Sequence, residues 1–126
     1  MSEWLHDAGG GGFAHAYLIE EELYRGRSAF QEIRVIVNPD FGRMLVLDDA
    51  VQTSERDEFV YHEMLAHVPL QAHGRPRRVL VVGGGDGGTV REVLRHPSVE
   101  EVVLAEIDQE VVSACRAYLP EVAGGL

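Results

Sequence analysis

Hydrophobic and polar residues alternate with a period of two in the first half of the chain. In "FQEIRVIV", residues 30–37, every second position from Gln31 to Val37 falls on one face, which is typical of a β-strand. "NPDFG" follows, and "RMLVLDDAVQ" supplies a return strand, because Asn, Pro, Asp and Gly favour turns. The pattern predicts that 30–37 and 43–48 pair as antiparallel strands.

The residues before this pair also lack helical features. Residues 1–12 end in four glycines and predict a flexible leader. "AYLIEEELYRGRSAF" has neither a helical cap nor a helical apolar stripe, and we expect it to form a hairpin that turns at Arg25-Gly26. Residues 13–52 are therefore predicted to form a small N-terminal antiparallel β domain.

The pattern changes to a helical one at Thr53. "SERDEFVYHEMLAHV" begins with Ser54, and Asp57 follows three residues later, which resembles a capping box. We expect this helix to run to about Val68 and to stop before Pro69, because proline disrupts a helix interior. "QAHGRPR" is then a polar connector, so that 53–77 comprise a helix and a connector.

The remainder, residues 78–126, alternates strand and helix patterns. "VLVV" predicts a buried parallel strand, and "TVREVLRH", "EVVLAEI" and "QEVVSACRAYL" predict a helix, a strand and a helix. The predicted fold class is α/β: a small antiparallel β domain followed by the start of a Rossmann-like doubly wound parallel sheet. Two parallel strands and two helices cannot cover both faces of such a sheet. We therefore expect the sequence to be part of a longer enzyme, or its missing part to come from elsewhere.

A glycine-rich loop joins the first of these strands to its helix. Gly83, Gly85 and Gly88 match G-x-G-x-x-G, and an acid, Glu106, ends the next strand. A strand before the loop, a helix after it and an acid about 20 residues further on together indicate a nucleotide or nucleoside site. Glu106 would accept hydrogen bonds from both ribose hydroxyls. The plainer interpretation is a set of turn glycines and an acid at a strand end.

The same loop carries a carboxylate, Asp86. A carboxylate close to a pyrophosphate is repulsive, and the repulsion grows where water is excluded. A carboxylate beside an ammonium or a sulfonium is attractive, so the loop favours an adenosyl sulfonium over a dinucleotide. Ordinary S-adenosylmethionine carries a carboxylate on its tail. Asp86 therefore favours a decarboxylated cofactor, through repulsion of the wrong ligand as well as attraction of the right one.

Composition agrees with a cationic small-molecule ligand. The chain has 126 residues, with 11 Lys and Arg against 21 Asp and Glu, a formal net charge of −10. This charge disfavours nucleic acid and anionic membranes as partners, although it equally keeps a protein in solution.

The sequence has neither a signal peptide pattern nor a membrane-span pattern. The single cysteine, Cys115, is predicted to pack in the core and fits a cytoplasmic location. The six histidines show no metal-ligand spacing, so no metal site is expected.

Four segments together resemble the spermidine synthases, the polyamine aminopropyltransferases: "FQEI", "VQTSERDEFVYHEM", "VLVVGGGDGGTVREVLRH" and "EIDQEVV". The resemblance runs from about Leu23 to Pro120, with Phe30 in place of the tyrosine that precedes the family's glutamine. It implies transfer of a 3-aminopropyl group from decarboxylated S-adenosylmethionine to putrescine, which gives spermidine and 5′-methylthioadenosine. It also implies a homodimer or homotetramer, and no prosthetic group.

The resemblance also implies which residues bind the two ligands. Those matched to the cofactor side are Gln31, Gly83, Gly85, Asp86, Glu106 and Ile107. Those matched to the amine side are His62, Asp86, Tyr61 and Gln52. On the predicted helix, Glu58 lies four residues before His62, which places an acid beside it. The plainer interpretation is a surface histidine, with acids that favour the helix dipole.

The implied chemistry requires a base, because the attacking amine is an ammonium at neutral pH and must first lose a proton. The family's catalytic aspartate lies after a later parallel strand, which we expect beyond Leu126. No catalytic residue is assigned within these residues, and we expect the 126-residue chain alone to have no appreciable turnover.

Two other functions fit the sequence: an S-adenosylmethionine-dependent methyltransferase of related fold, and a non-catalytic binding or oligomerisation module built on the β domain. The acceptor is putrescine by default and is not determined by these residues.

Overall fold

A computed structural model describes all 126 residues of the chain. The chain divides into two compact units, Met1–Arg56 and Asp57–Leu126. The first is antiparallel β and the second is α/β, which confirms the predicted fold class. The elements are β1 (Glu3–Asp7), β2 (His15–Ile19), β3 (Glu21–Arg27), β4 (Glu32–Asn38), β5 (Gly42–Leu47), β6 (Ala50–Ser54), α1 (Glu58–His73), β7 (Arg78–Val82), α2 (Gly88–Val93), β8 (Glu101–Ala105) and α3 (Gln109–Tyr118).

The first unit contains a two-stranded sheet, β1-β2, and a four-stranded sheet in the order β3-β4-β5-β6. β4 and β5 pair antiparallel, with Asn38 opposite Gly42, which confirms the pairing predicted from the alternating pattern. Their turn is held by Asn38 Oδ1, which accepts hydrogen bonds from the amides of Asp40 and Phe41 at 2.9 and 3.0 Å. The sequence "NPDFG" therefore forms the turn through the asparagine side chain.

The predicted return strand "RMLVLDDAVQ" is divided into β5 and β6 by a turn at Asp48 and Asp49. Two further predictions for this unit are wrong. The flexible leader over 1–12 contains β1, which buries Leu5 in the same core cluster as Ile36 and is also tied down by a hydrogen bond from the Val51 amide to Asp7. The predicted turn at Arg25-Gly26 lies inside β3, which pairs with β4 instead of folding back on itself. Both errors arise because pairing with distant strands, rather than local turn preference, decides these conformations.

The predicted boundaries of the first helix are also wrong. Ser54 belongs to β6, and the residue before α1 is Asp57, without a capping hydrogen bond from its side chain. The helix continues through Pro69 to His73, where the Gly74 amide, at φ 86°, donates to the carbonyls of Leu70 and Gln71. Leu70 packs against the core of the second unit, which favours the extra turn. Part of the predicted connector is therefore helical.

In the second unit, β7 and β8 pair in parallel, as predicted. One face of this pair packs against the two helices α1 and α2, with a core of Ala66, Val81, Val90 and Val93. The opposite face is exposed at Leu80, Val82 and Val103. The prediction that "VLVV" is a buried strand is therefore wrong for the residues on this face, since only one face has helices packed on it. No helix of the chain is both long and apolar enough to cross a membrane.

The last helix carries the single cysteine. α3 begins after Asp108, whose side chain accepts a hydrogen bond from the Glu110 amide. Cys115 is completely buried, as predicted for a core residue. Burial, and to a lesser degree the negative charges of Asp86 and Glu106, raises the pKa of its thiol to about 12. The thiol is therefore neutral and is not a nucleophile at physiological pH.

Candidate ligand-binding site

The glycine loop connects β7 to α2 at the carboxyl end of both parallel strands. Gly83, Gly84 and Gly87 have φ of 73°, 74° and 86°, a left-handed backbone that strongly favours glycine. The Gly83 amide donates to the carbonyl of Ala105 at 3.0 Å, which ties the loop to the end of β8. Ligands of open α/β sheets bind at this edge, so the loop has the expected location.

Glu106 follows β8 and is held in place by two backbone amides. Its Oε2 accepts from Gly85 and its Oε1 accepts from Asp108, both at 3.0 Å. A Cβ atom at Gly85 would lie 2.9 Å from Oε2, so glycine is needed for this approach. An ionised carboxylate offers about four lone-pair sites, so Glu106 retains capacity to accept hydrogen bonds from ribose hydroxyls. Ile107, the next residue, is exposed.

Asp86 is bound on one side and open on the other. Its Oδ1 accepts a hydrogen bond from the Gly88 amide at 2.8 Å and lies 3.3 Å from His62 Nε2, whereas its Oδ2 accepts no hydrogen bond within the chain. Dinucleotide sites bind phosphate with amides at the start of a helix. Here the Gly88 amide, at the start of α2, already donates to the Asp86 carboxylate. A pyrophosphate is therefore disfavoured both because this donor is used and because Asp86 is negatively charged.

His62 lies between two carboxylates. Its Nδ1 is 2.5 Å from Glu58 Oε2, and its Nε2 faces Asp86. The side chain is 1% exposed, so the plainer interpretation of a surface histidine is wrong. Burial opposes the charged imidazole, but the hydrogen bonds and charges of Asp86 and Glu58 outweigh it and raise the pKa of His62.

The pKa of Asp86 is lowered, whereas that of His62 is raised. Burial opposes the charged carboxylate, but the hydrogen bonds from His62 and from the Gly88 amide outweigh it and lower the pKa of Asp86. Opposite shifts in two neighbouring groups are characteristic of an ion pair. The contact between His62 and Asp86 therefore favours the charged form of both groups, and the two residues are called the charged pair below.

Behind this pair, Arg91 connects α2 to α1. Its Nη2 is 2.9 Å from Glu58 Oε2, and its Nε donates to Glu92 at 3.1 Å. Glu92 also accepts from Arg95 and contacts His67. The spacing of Glu58 and His62 gave a sequence signal for their contact. Arg91 was missed, because its contact depends on how the two helices pack and no motif spacing indicates it.

The other predicted site residues occupy different surroundings. Tyr61 is exposed and its ring meets that of His62 edge-on at a centroid distance of 5.2 Å. In the first unit, Gln31 is half-buried just before β4, where its backbone amide donates a hydrogen bond to Ser28 Oγ. Gln52 is exposed in β6, with its side-chain amide donating to Ala50. The ligand-binding roles of these three residues remain predictions.

The charged pair predicts a specific dependence of stability on pH. The pKa of His62 is raised above 6.5 in the folded chain. Its contribution to the free energy of unfolding is therefore complete below pH 6.5 and is lost as the pH rises through the pKa of the folded state. Asp86 has a pKa lowered below 3.8, so its contribution is lost as the pH falls through the folded-state value. We expect His62→Gln to reduce the free energy of unfolding most between these limits. Urea denaturation across this pH range measures it, and parallel pH curves for the two proteins would rule out the charged pair.

Two family models match the chain, one over each unit. The spermine/spermidine synthase domain matches residues 58–126. The spermidine synthase tetramerisation domain matches residues 4–55. Together they cover nearly the whole chain.

Individual relatives and solved structures agree with these models. Polyamine aminopropyltransferase 1 of Aquifex aeolicus is 57% identical over 88% of this chain and 40% of its own length. The polyamine aminopropyltransferase of Clostridium tetani is 51% identical over 98% of this chain and 44% of its own. The crystal structure of spermidine synthase from Thermotoga maritima superposes with a TM-score of 0.95 at 44% identity, over 98% of this chain and 44% of that one.

A second solved spermidine synthase, in complex with the transition-state analogue AdoDATO, superposes with the same TM-score of 0.95 at 44% identity and covers 98% of this chain and 42% of that one. The chain thus spans less than half the length of these relatives. Since a family model matches more than half of its residues, the chain belongs to the spermine/spermidine synthase family.

Proposed function

We propose that these residues form the nucleoside-binding and part of the amine-binding site of a polyamine aminopropyltransferase, a spermidine synthase. The reaction transfers a 3-aminopropyl group from decarboxylated S-adenosylmethionine to putrescine and yields spermidine and 5′-methylthioadenosine. The observation that carries this proposal is the open Oδ2 of Asp86, whose other carboxylate oxygen is already used by the Gly88 amide and His62. An open carboxylate oxygen there suits a ligand ammonium.

The residues around the loop support a division of the site. Gly83 and Gly85 let a nucleoside approach the backbone, and Glu106 is oriented by two amides to receive ribose hydroxyls. Exposed Ile107 supplies an apolar contact beside it. Asp86 and His62 form the charged wall that we assign to the aminoalkyl groups. Gln31, Gln52 and Tyr61 are proposed as further ligand contacts on the strength of the family resemblance.

In the proposed reaction, the amine nitrogen attacks the propyl carbon attached to the sulfonium. A carbon–nitrogen bond forms as the carbon–sulfur bond breaks, and its electron pair stays on sulfur as a neutral thioether. The attacking amine must be unprotonated, and none of these 126 residues is assigned as the base. What Asp86 contributes is a fixed anion that binds and orients a cationic tail, which lowers the entropic cost of bringing the two reactants together.

We propose that the protein assembles as a homodimer or homotetramer through its first unit. The match of that unit to a tetramerisation domain supports this assembly, as do its unpaired edge strands β3 and β6. A cytoplasmic location is proposed with it.

A chimera tests the proposed function. Residues 1–126 would replace the matching part of the Thermotoga maritima spermidine synthase, to which they are 44% identical. We expect the purified chimera to form spermidine and 5′-methylthioadenosine from decarboxylated S-adenosylmethionine and putrescine. A folded chimera that instead methylates an acceptor with S-adenosylmethionine, or that is inactive with both cofactors, would contradict the proposal.

A further inference from the structure

The contacts behind the Asp86 carboxylate form a continuous chain of four charged side chains. Arg91 on α2 contacts Glu58 on α1, Glu58 contacts His62 on the same helix, and His62 contacts Asp86 in the glycine loop. Glu58 and Asp86 are 10% and 12% exposed and His62 only 1%. At such burial an unpaired charge would be costly, so each acid needs its basic neighbour.

The geometry of His62 favours a proton on both ring nitrogens. Glu58 faces Nδ1 and Asp86 faces Nε2, and a carboxylate oxygen can only accept a hydrogen bond. A neutral imidazole would direct one nitrogen lone pair at one of the two carboxylates, which is repulsive. Tyr61, whose ring meets His62 edge-on, brings no charge. The cluster is balanced when two acids face one guanidinium and one imidazolium.

Glu58 is itself held in one orientation. Its Oε2 receives both His62 Nδ1 and Arg91 Nη2, the latter at 2.9 Å. Arg91 is anchored in turn by Glu92 and by the carbonyl of Glu121 at 3.1 Å. A guanidinium with several fixed partners orients a carboxylate more strictly than a flexible lysine could.

We propose that Glu58, locked by Arg91, is a positioning residue that fixes His62 as an imidazolium and so presents only Oδ2 of Asp86 to a ligand amine. Because His62 and the Gly88 amide both use Oδ1, the carboxylate cannot rotate without losing two contacts. The amine therefore meets a single, oriented oxygen. Glu58 acts through His62 and contacts neither ligand. This inference rests on the proposed amine site for its functional meaning, but not for the state of the imidazole.

The ligand-free chain tests the state of His62. Nitrogen-15 NMR of the histidine rings should show both nitrogens of His62 protonated near neutral pH. We expect Glu58→Gln to lower the pKa of His62 by about one unit or more, because a nearby opposite charge is removed. Glu63→Gln, five residues along the same helix, is the matched control and should leave the ring unchanged. Equal pKa values of His62 in the two variants would overturn the proposal.

Arg91→Lys gives an independent measurement and covers the case in which Glu58→Gln does not fold. We expect this variant to stay folded and to shift the His62 ring signals, because a flexible lysine no longer holds Glu58 Oε2 in one orientation, with Arg116→Lys on α3 as the unchanged control. An unaltered His62 in Arg91→Lys would also overturn the proposal. A titration with putrescine then distinguishes the positioning role of Glu58 from the proposed amine-binding function of the site. Weaker amine binding in both variants supports positioning, whereas a normal imidazolium with no amine binding in the parent chain contradicts only the proposed function.

Discussion

Asp86→Asn should weaken binding of decarboxylated S-adenosylmethionine by about 30- to 1000-fold, since loss of one member of a desolvated charge pair costs roughly 2–4 kcal/mol. Asparagine keeps an oxygen that can still accept from the Gly88 amide, so the loop should retain its shape. What is lost is the negative charge beside His62 and the accepting oxygen at the open position, where an NH2 donor would face the ligand ammonium. Isothermal titration calorimetry provides the measurement.

Glu101→Gln is the matched control for this change. Glu101 is an exposed acid of β8 in the same unit, and its replacement lowers the net negative charge by the same amount. We expect the control to bind within about twofold of the parent chain, because exposed charges are screened by salt. Equal losses in the two variants would assign the effect to net charge and would contradict a specific role for Asp86.

Gly88→Ala should destabilise the second unit by about 2 kcal/mol or more, in the upper part of the range for overpacked cores. A Cβ atom at Gly88 would overlap the ring atoms of His62, and His62 is fixed by the carboxylates on either side of it. Alanine is intrinsically the better helix residue by about 1 kcal/mol, but this gain is smaller than the cost of displacing a buried ion pair. Chemical denaturation followed by circular dichroism measures the change.

Gly124→Ala serves as the control for a glycine without such a contact. A Cβ atom there would meet only ordinary neighbours, with the Pro120 carbonyl oxygen 3.5 Å away. We expect the free energy of unfolding to change by less than about 0.5 kcal/mol. If Gly88→Ala is as mild as this control, His62 does not occupy the position described here.

β4, β5 and the order of elements from α1 onward could be predicted because they depend on local patterns, whereas β6 was missed because "RMLVLDDAVQ" was interpreted as a single return strand. The alternation before "NPDFG" indicates β4 and β5, and the spacing from Gly83 to Glu106 predicts a ligand site at a strand end. β1 could not be predicted, because Leu5 is ordered by burial against distant strands. The end of α1 was placed too early, because a proline rule ignores the packing of Leu70.

In the candidate site, too, the features that depend on local sequence could be predicted and those that depend on tertiary packing could not. The charge of Asp86 could be interpreted from sequence, but its contacts could not. Its pairing with His62 depends on the packing of α1 against the loop, and only the family resemblance had brought the two residues together. Arg91 had no sequence signal at all, since its link to Glu58 crosses between two helices.

The most direct test of the central claim is the ratio of two affinities in the chain itself. The claim is that the open oxygen of Asp86 binds a ligand ammonium and repels a ligand carboxylate. Isothermal titration calorimetry would compare decarboxylated S-adenosylmethionine with S-adenosylmethionine, in the parent chain and in Asp86→Asn. We predict that the decarboxylated cofactor binds at least about tenfold more tightly, a difference of roughly 1.4 kcal/mol, and that this preference largely disappears in the variant. Equal binding of the two cofactors by the parent chain, or a preference for the carboxylated one, would contradict the account.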